Sequence, residues 1–160
     1  MERHVIVDRG ALCRMASTLG RKVDFKKLRA ALGGHGHMLV SSKEPGIEQG
    51  TVLAALQADW SVHQFDPMPG PDGRPRAYPE VNMALLATDI MGTCAEEVVL
   101  VTGANAAAPI ATHLRRGGVR VTIASFRGSL GGELRRNASV EADGTVNVIY
   151  LDEEDVFHVV

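Results

Sequence analysis

The sequence predicts an α/β fold, a three-layer sandwich with helices on both faces of a mainly parallel sheet of five to six strands. Short apolar segments rich in β-branched residues alternate with helical segments of about 10–15 residues, a pattern typical of βαβ units. One of them, Glu97–Thr102, is apolar almost throughout, as expected of a central parallel strand covered on both faces. The chain has 160 residues, 45% of them hydrophobic, which suits a single domain over residues 1–160.

The first half of the chain contains three predicted strands and three predicted helices. Strand His4–Val7 ends at Asp8 and precedes a helix over Ala11–Leu19. Asp24 stands at the N-cap position of the next helix, FKKLRAAL, which a glycine pair ends. The other elements of this half are strand His37–Ser41, helix Gly50–Ala58 and strand Trp60–Phe65.

A proline-rich loop over residues 66–79 leads to the second half. The elements predicted after it are helix Val81–Met91, strand Glu97–Thr102, helix Ala106–Arg116, strand Val119–Ala124, a helix near Leu130–Asn137 and strand Val146–Leu151. The acidic C-terminal tail, about residues 152–160, is predicted to be a solvated end rather than a metal site.

Composition excludes several classes of function. With 17 Lys and Arg against 19 Asp and Glu, the net charge is −2, so nucleic acid would have to bind at a local basic patch. Aromatic residues are only 4%, which argues against a stacking platform for single strands. Two cysteines are too few for a disulfide framework. No apolar run of about 18 residues occurs and charges interrupt the N-terminus, so we expect no membrane association, no secretory signal and a cytoplasmic location.

The segment VVLVTGANAAAPIATHL resembles the start of short-chain dehydrogenases, in which a strand, T-G-x-x-x-G-x-G and a helix follow one another. Those glycines let a pyrophosphate approach the backbone at the helix N-terminus. Only Gly103 is present here, and Ala107 and Pro109 occupy the later glycine positions. The motif begins at Val98, which leaves too little sequence for the rest of such a domain. An NAD(P)-binding oxidoreductase is therefore only the third hypothesis.

Three segments share the order and spacing of another family. VIVDRGAL is similar to an opening strand ending V-D-x-x-N-L, and EVNMALLATDIM is similar to a helix K-G-V-D-x-x-L-x-x-D-x. VVLVTGANAAAPIATHLRRGGVRVTIAS is similar to a strand, S-G-D-x-D-F-x-P, a helix and a further strand, while SLGGELRRNAS and VIYLDEED match the closing elements. Together they cover nearly the whole chain and resemble the NYN domain, a bacterial branch of the PIN-like nuclease superfamily.

The resemblance implies a metal-dependent ribonuclease fold. PIN-like enzymes gather three or four acidic side chains at strand ends to hold one or two Mg²⁺ or Mn²⁺ ions, which activate water for attack on RNA. Asp8 matches the first acidic residue, and Asp89 matches the second carboxylate of the helix, so these two are the implied catalytic pair. Glu80, near the helix start, is a partial substitute. Asp8, Asp89 and Glu80 are the implied ligands of a weakly bound Mg²⁺ or Mn²⁺.

The remaining family positions are degenerate. The family's asparagine falls at Ala11, and the helix-start aspartate falls at Asn82 or, in the other register, at Met83. The two aspartates after the fourth strand fall at Ala104 and Ala106. Three explanations are open for that last pair: a natural pseudo-nuclease, a deliberate double replacement in a working enzyme, and a site that never belonged to this family. Losses at the other positions favour the first, because a double replacement would have left them alone.

The sequence thus predicts a catalytically impaired NYN domain that acts by binding RNA or a protein partner, with self-association as a homodimer also open. Asn105, Arg9 and Arg127 are the expected substrate-binding residues, because arginines near Asp8 can hold a phosphate backbone without cutting it. The main alternative is an active Mg²⁺- or Mn²⁺-dependent RNA endonuclease that uses Asp8 and Asp89. Either reading requires Asp8 to lie beside residues 102–109.

The segment GGHGHM holds a further candidate pair, His35 and His37. An H-x-H motif on a strand places both imidazoles on one face, a geometry that zinc and copper sites use. The sequence places no third ligand beside them, since His4, His63 and His113 are scattered along the chain. The pair is therefore interpreted as surface histidines at a strand entry.

Overall fold

This computed structural model describes residues 2–42, 49–76, 78–140 and 146–159, apart from the side chains of residues 49–51 and 137–140; within these ranges the chain forms eight strands and six helices. The strands are β1 (Arg3–Asp8), β2 (His35–Ser41), β3 (Trp60–Phe65), β4 (Met68–Pro69), β5 (Pro75–Arg76), β6 (Glu97–Val101), β7 (Arg120–Ser125) and β8 (Val146–Tyr150). The helices are α1 (Arg9–Thr18), α2 (Phe25–Leu32), α3 (Gln49–Gln57), α4 (Pro79–Met91), α5 (Ala108–Arg116) and α6 (Gly132–Val140).

Six strands form one parallel sheet in the order β3-β2-β1-β6-β7-β8. β1 is central, and Val5 pairs with Gly36 of β2 on one side and with Val99 of β6 on the other. The predicted α/β sandwich with a mainly parallel sheet is therefore confirmed, with six strands. No helix within the described ranges has the length and apolar character needed to cross a membrane.

The helices divide between the two faces of the sheet. Helices α1, α2 and α3 cover one face, where Val5, Val7 and Trp60 belong to the first core cluster. Helices α4, α5 and α6 cover the other, where Ile6 and Leu100 belong to the second. Because successive residues of a strand face opposite ways, each fully buried central strand contributes to both clusters.

Predicted and observed elements agree to within a few residues, and local chemistry explains the shifts. The Asp8 carboxylate caps α1 by accepting from the Ala11 N–H, so the helix starts at Arg9 and not at Ala11. The predicted helix from Ala106 begins with a short 3₁₀ turn and is α-helical from Ala108. The predicted loop over residues 66–79 contains a short antiparallel hairpin, β4–β5.

One part of the C-terminal segment is exposed to solvent and another part is buried. The acidic residues 152–155 are exposed, as the sequence predicted. Val156 and Phe157, however, are buried, and Phe157 makes a β-bridge to Val23. The expectation of a solvated tail over residues 152–160 therefore applies to its acidic part, because the apolar pair that follows completes the core beside α2.

Candidate functional site

The carboxyl end of β1 lies where the direction of chain progression through the sheet reverses. From β1 the chain moves outward to β2 and β3 on one side, and it resumes at β6, β7 and β8 on the other. In open α/β sheets, ligands bind beyond the carboxyl ends of the strands at such a switch point. β1 pairs directly with β6. Asp8, the last residue of β1, and the loop that follows Val101 therefore lie at the carboxyl ends of adjacent strands. The structure thus brings Asp8 beside the start of the 102–109 segment, as the sequence required.

Asp8 is a buried carboxylate at this edge. Its residue is 8% exposed, and one oxygen accepts a hydrogen bond from the Ala11 N–H at 3.2 Å. Burial raises the pKa of Asp8, since it penalises the charged form; the Ala11 N–H and Arg14 oppose that increase, and the nearby Glu80 carboxylate adds to it. A buried acid with a raised pKa at a switch point is a candidate functional group, although the same carboxylate also caps α1.

Of the two other predicted acids, the structure brings Glu80 and not Asp89 to Asp8. Glu80 is half-buried in the first turn of α4 and acts electrostatically on Asp8. Asp89 lies nine residues further along the same helix, which is about 13.5 Å at 1.5 Å per residue. Asp89 is exposed there and lines a cavity whose lining residues do not include Asp8. The implied pairing of Asp8 with Asp89 therefore finds no support in the geometry.

The resemblance placed the lost helix-start aspartate at either Asn82 or Met83, and these two residues differ in burial. Met83 is 2% exposed and belongs to the core beneath α4, so a charge there would be buried without a partner. Asn82 is half-buried, and its side-chain amide donates to the Tyr78 carbonyl at 3.3 Å. Asn82 is thus the sterically acceptable counterpart of the helix-start position, and it carries no charge.

The loop after β6 is closely packed against the segment that precedes α6. A Cβ on Gly103 would lie 1.9 Å from the carbonyl oxygen of Ser129, and the Gly103 carbonyl accepts from the Gly131 N–H at 2.8 Å. Gly103 is therefore needed for contact between two backbone segments, which explains its presence without a bound pyrophosphate. Ala104 and Ala106 of the same loop are exposed.

The predicted substrate-binding residues make contacts within the protein. Asn105 accepts from the Glu133 N–H at 3.0 Å through its amide oxygen and so anchors the start of α6. Arg127 forms an ion pair with Glu153, and its guanidinium lies 4.0 Å from the ring centroid of Tyr150. Arg9 is half-buried at the first position of α1. Arg9 and Arg127 both follow strand ends at the carboxyl edge.

A second cluster, which the sequence did not reveal, consists of four histidines and one glutamate. His4 of β1, His35 and His37 of β2, and His63 of β3 form a continuous row across the three strands, which we call the histidine row. His4 Nδ1 lies 3.0 Å from His37 Nε2, and His37 Nδ1 lies 3.1 Å from His63 Nε2. At the other end, Glu2 Oε2 lies 3.4 Å from the Nε2 atoms of both His4 and His35.

Two members of the histidine row, His4 and His37, have surroundings that favour the uncharged imidazole. Burial and the neighbouring histidines lower the pKa of His37 to about 4. Burial and His35 lower the pKa of His4, and Glu2 only partly offsets this. Imidazoles that are neutral at pH 7 can accept hydrogen bonds or bind metal ions through a free lone pair.

The row ends at a small open cavity. This cavity has a volume of about 150 Å³ and is lined by Leu39, His63, Gln64, Phe65, Asn82, Leu86 and Asp89. Asp89 thus lies near His63 rather than near Asp8. Its lining is part polar and part apolar, and Asn82, Leu86 and Asp89 of α4 form one side of it.

The sequence alone did not reveal this cluster because it does not give the order of the strands, which brings the histidines together. His4 is the register partner of His35, and Leu39 is the partner of both Asp8 and His63. His35 is exposed at the first residue of β2, as the sequence interpretation expected, whereas His37 is half-buried. The contacts of both with His4 and His63 were not foreseen; they arise because β1, β2 and β3 are neighbours and align the histidines on one face. Of the scattered histidines, His113 lies apart on α5.

Comparison with known proteins adds support for the fold. No protein-family model matches the chain, and no curated protein matches it in sequence. The structure is similar to that of a protein of unknown function, VPA0982 from Vibrio parahaemolyticus, with a TM-score of 0.76 and 16% identity over 98% of this chain and 96% of that one. At this identity the likeness shows a shared α/β architecture alone.

Two thioredoxin reductases also match. Those from Giardia duodenalis and Lactococcus lactis are 14% and 16% identical to the chain, which covers 64% of each, and 94% of this chain is aligned in both cases. Their TM-scores of 0.31 and 0.34 are too low to support any inference about fold or activity.

Proposed function

We propose that the protein binds single-stranded RNA at the carboxyl edge of its sheet without cleaving it, as a relative of PIN-like nucleases that has lost their metal ligands. One observation carries the proposal: Ala104 and Ala106 are exposed in the loop next to Asp8, where the family resemblance requires aspartates. Methyl groups at these positions cannot hold a divalent cation.

The carboxylates that remain do not fit a catalytic Mg²⁺ or Mn²⁺ centre. Such hard cations need several oxygen ligands, and two-metal cleavage needs a set that holds both ions about 3.5–4 Å apart. Asp8 and Glu80 supply two carboxylates, and one oxygen of Asp8 already caps α1. Asp89 is too far along α4 to join them. Cleavage by a resident metal centre is therefore not expected.

Arginines at the same edge supply the binding chemistry. Arg14 lies close enough to Asp8 to lower its pKa, Arg9 follows β1 directly, and Arg127 follows β7. RNA backbones are held by such cations, whose contacts position the strand without reading its sequence. Three phosphate contacts would give a slope of log K against log salt of about −2, from a factor of about 0.7 per contact on single strands.

Fluorescence anisotropy with a labelled single-stranded RNA tests the proposal. We expect binding at low salt that weakens along that slope, and weaker binding for Arg14→Ala. Arg116→Ala is the matched control, because this arginine is exposed at the C-terminal end of α5, toward the opposite edge of the sheet. No measurable affinity at low salt would overturn RNA binding and leave a protein partner as the better explanation.

A cleavage assay with Mn²⁺ separates binding from catalysis. The wild-type protein should leave the RNA intact, whereas the double variant Ala104→Asp/Ala106→Asp should gain Mn²⁺-dependent cleavage that a further Asp8→Ala change removes. Cleavage by the wild-type protein that Asp8→Ala abolishes would instead establish the active endonuclease.

The oxidoreductase hypothesis has less support. Gly103 packs against Ser129, which accounts for this glycine without a bound pyrophosphate. Ala107 and Pro109 occupy the later glycine positions, where the backbone would have to approach the pyrophosphate closely. NAD(H) should accordingly leave the melting temperature unchanged.

A further inference from the structure

Glu2, His4 and His35 form a compact set of potential metal ligands at the amino edge of the sheet, away from the Asp8 site. One ligand atom from each, the Glu2 carboxylate oxygen and a ring nitrogen of each histidine, lies within 4.8 Å of the others. Both distances from Glu2 Oε2 to a histidine Nε2 are 3.4 Å. Ligand atoms around a tetrahedral zinc ion are separated by about 3.3–3.4 Å when the bonds are 2.0–2.1 Å long. The two distances from Glu2 match this spacing, and the two imidazoles have to move closer together around the ion.

The backbone holds all three residues in place. The Glu2 carbonyl accepts from the N–H groups of Glu96 and Glu97, at 2.8 and 3.2 Å, which fixes the residue beside β6. His4 and His35 are direct register partners on adjacent parallel strands, and their rings stack with centroids 4.8 Å apart. Glycine at position 34 lets the start of β2 lie this close to β1, because a Cβ there would lie 2.4 Å from the Arg3 carbonyl oxygen.

One atom of the set has only a weak partner. His4 Nε2 is buried, and Glu2 Oε2 approaches it at 3.4 Å, which is long for a hydrogen bond. A poorly satisfied buried nitrogen is costly, and each such atom in a folded protein calls for an explanation. A metal ion between the three side chains would satisfy this nitrogen and would also neutralise the charge of Glu2.

We propose that Glu2, His4 and His35 bind one divalent transition metal ion, with Zn²⁺ as the ion that fits best and water in the fourth position. Two imidazoles and one carboxylate form a borderline-soft ligand set, which suits Zn²⁺ rather than Mg²⁺ or Ca²⁺. Three protein ligands with one open position is the arrangement of catalytic zinc sites, whereas structural sites are closed by four. Glu2 and His35 are exposed, which leaves that open position accessible.

The other histidines of the row contact the second ring nitrogen of the ligand His4 and so hold its imidazole in position. Ligating histidines use their second ring nitrogen to donate a hydrogen bond, which fixes the tautomer. His4 Nδ1 has His37 Nε2 at 3.0 Å, and His37 Nδ1 has His63 Nε2 at 3.1 Å. If each Nδ1 carries the proton, His4 donates to His37 and His37 donates to His63. The lone pair of His4 Nε2 is then free for the metal. His37 is thus a positioning residue.

Metal titration of the full-length protein tests the site. The protein, freed of metal by chelator dialysis, is titrated with Zn²⁺ in competition with a chromogenic chelator. We expect one ion per chain, and at least tenfold weaker binding for His35→Ala and for Glu2→Gln. Both residues are exposed, so these variants should fold normally. His113→Ala is the matched control, since this histidine is exposed on α5 outside the cluster, and it should bind Zn²⁺ like the wild type.

Two further readouts address geometry and the role of His37. Co²⁺ in place of Zn²⁺ should produce the intense visible absorption of a four-coordinate site, and His35→Ala should lose it. His37→Ala should weaken Zn²⁺ binding about tenfold or more, as changes behind a metal ligand do, and His37→Gln should restore part of the loss because it can accept from His4 Nδ1. The proposal is overturned if less than one ion binds per chain, or if His35→Ala and Glu2→Gln bind Zn²⁺ as tightly as His113→Ala.

Discussion

Replacing Gly103 with alanine tests the packing that holds the β6 loop beside Asp8. The added Cβ would lie 1.9 Å from the Ser129 carbonyl oxygen, so two backbone segments must separate by about 1 Å before the contact reaches 3.0 Å. That movement also stretches the 2.8 Å hydrogen bond from the Gly131 N–H to the Gly103 carbonyl. Overpacking costs about 1–3 kcal/mol and a lost hydrogen bond about 0.5–1.5 kcal/mol, so the free energy of unfolding should fall by about 2–4 kcal/mol.

Urea unfolding followed by circular dichroism measures this change by linear extrapolation. Gly132→Ala is the matched control, because a Cβ there meets nothing within 4 Å, and alanine in the first turn of α6 should leave stability equal or slightly higher. The reasoning is refuted if Gly103→Ala loses no more stability than Gly132→Ala. Such a result would mean that the loop is loosely held and that Ala104 has no fixed position beside Asp8.

Substitutions at three more positions test individual parts of the molecule. Asp8→Asn should raise the free energy of unfolding at pH 7, because asparagine also caps helices and the variant removes a charge whose pKa burial has raised. A raised native pKa means that the wild type gains stability as pH falls through it, so a pH series should show the gap closing in acid; a constant gap would contradict this. Asp24→Ala should cost about 1 kcal/mol, because the carboxylate caps α2, while Asp24→Asn should cost little in the same urea assay. Trp60→Phe should cost about 1–3 kcal/mol, because the buried indole donates to the Phe25 carbonyl at 3.0 Å; an unchanged urea midpoint would exclude that bond.

The arrangement of strands and helices was predictable because each depends on local signals. The alternation of β-branched runs with helical segments determines the layers, and Asp8 and Asp24 both cap helices where the sequence placed polar residues before apolar runs. The location of Asp8 and the β6 loop at the same edge of the sheet also followed from the fold class, because parallel strands end at a common edge.

Contacts between distant segments were not predictable in the same way. The implied pairing of Asp8 with Asp89 relied on a family pattern, and the rise of α4 separates Asp89 from Glu80 by more than two helical turns. The histidine row required the order β3-β2-β1, which alternation alone does not provide. Val156 and Phe157 were counted in a solvated tail because nothing local shows that they fill a gap beside Val23.

The two proposed sites lie at opposite ends of one strand, so each can be tested without disturbing the other. His4 and Asp8 are four residues apart on β1, which separates them by about 13 Å along the strand, and alternation directs both toward the same face. Asp8→Asn should therefore leave Zn²⁺ binding unchanged, and His35→Ala should leave RNA binding unchanged, as measured by chelator competition and anisotropy. If His35→Ala weakened RNA binding while its circular dichroism spectrum stayed native, the RNA would have to reach the amino edge, and the assignment of binding to the carboxyl edge would be wrong.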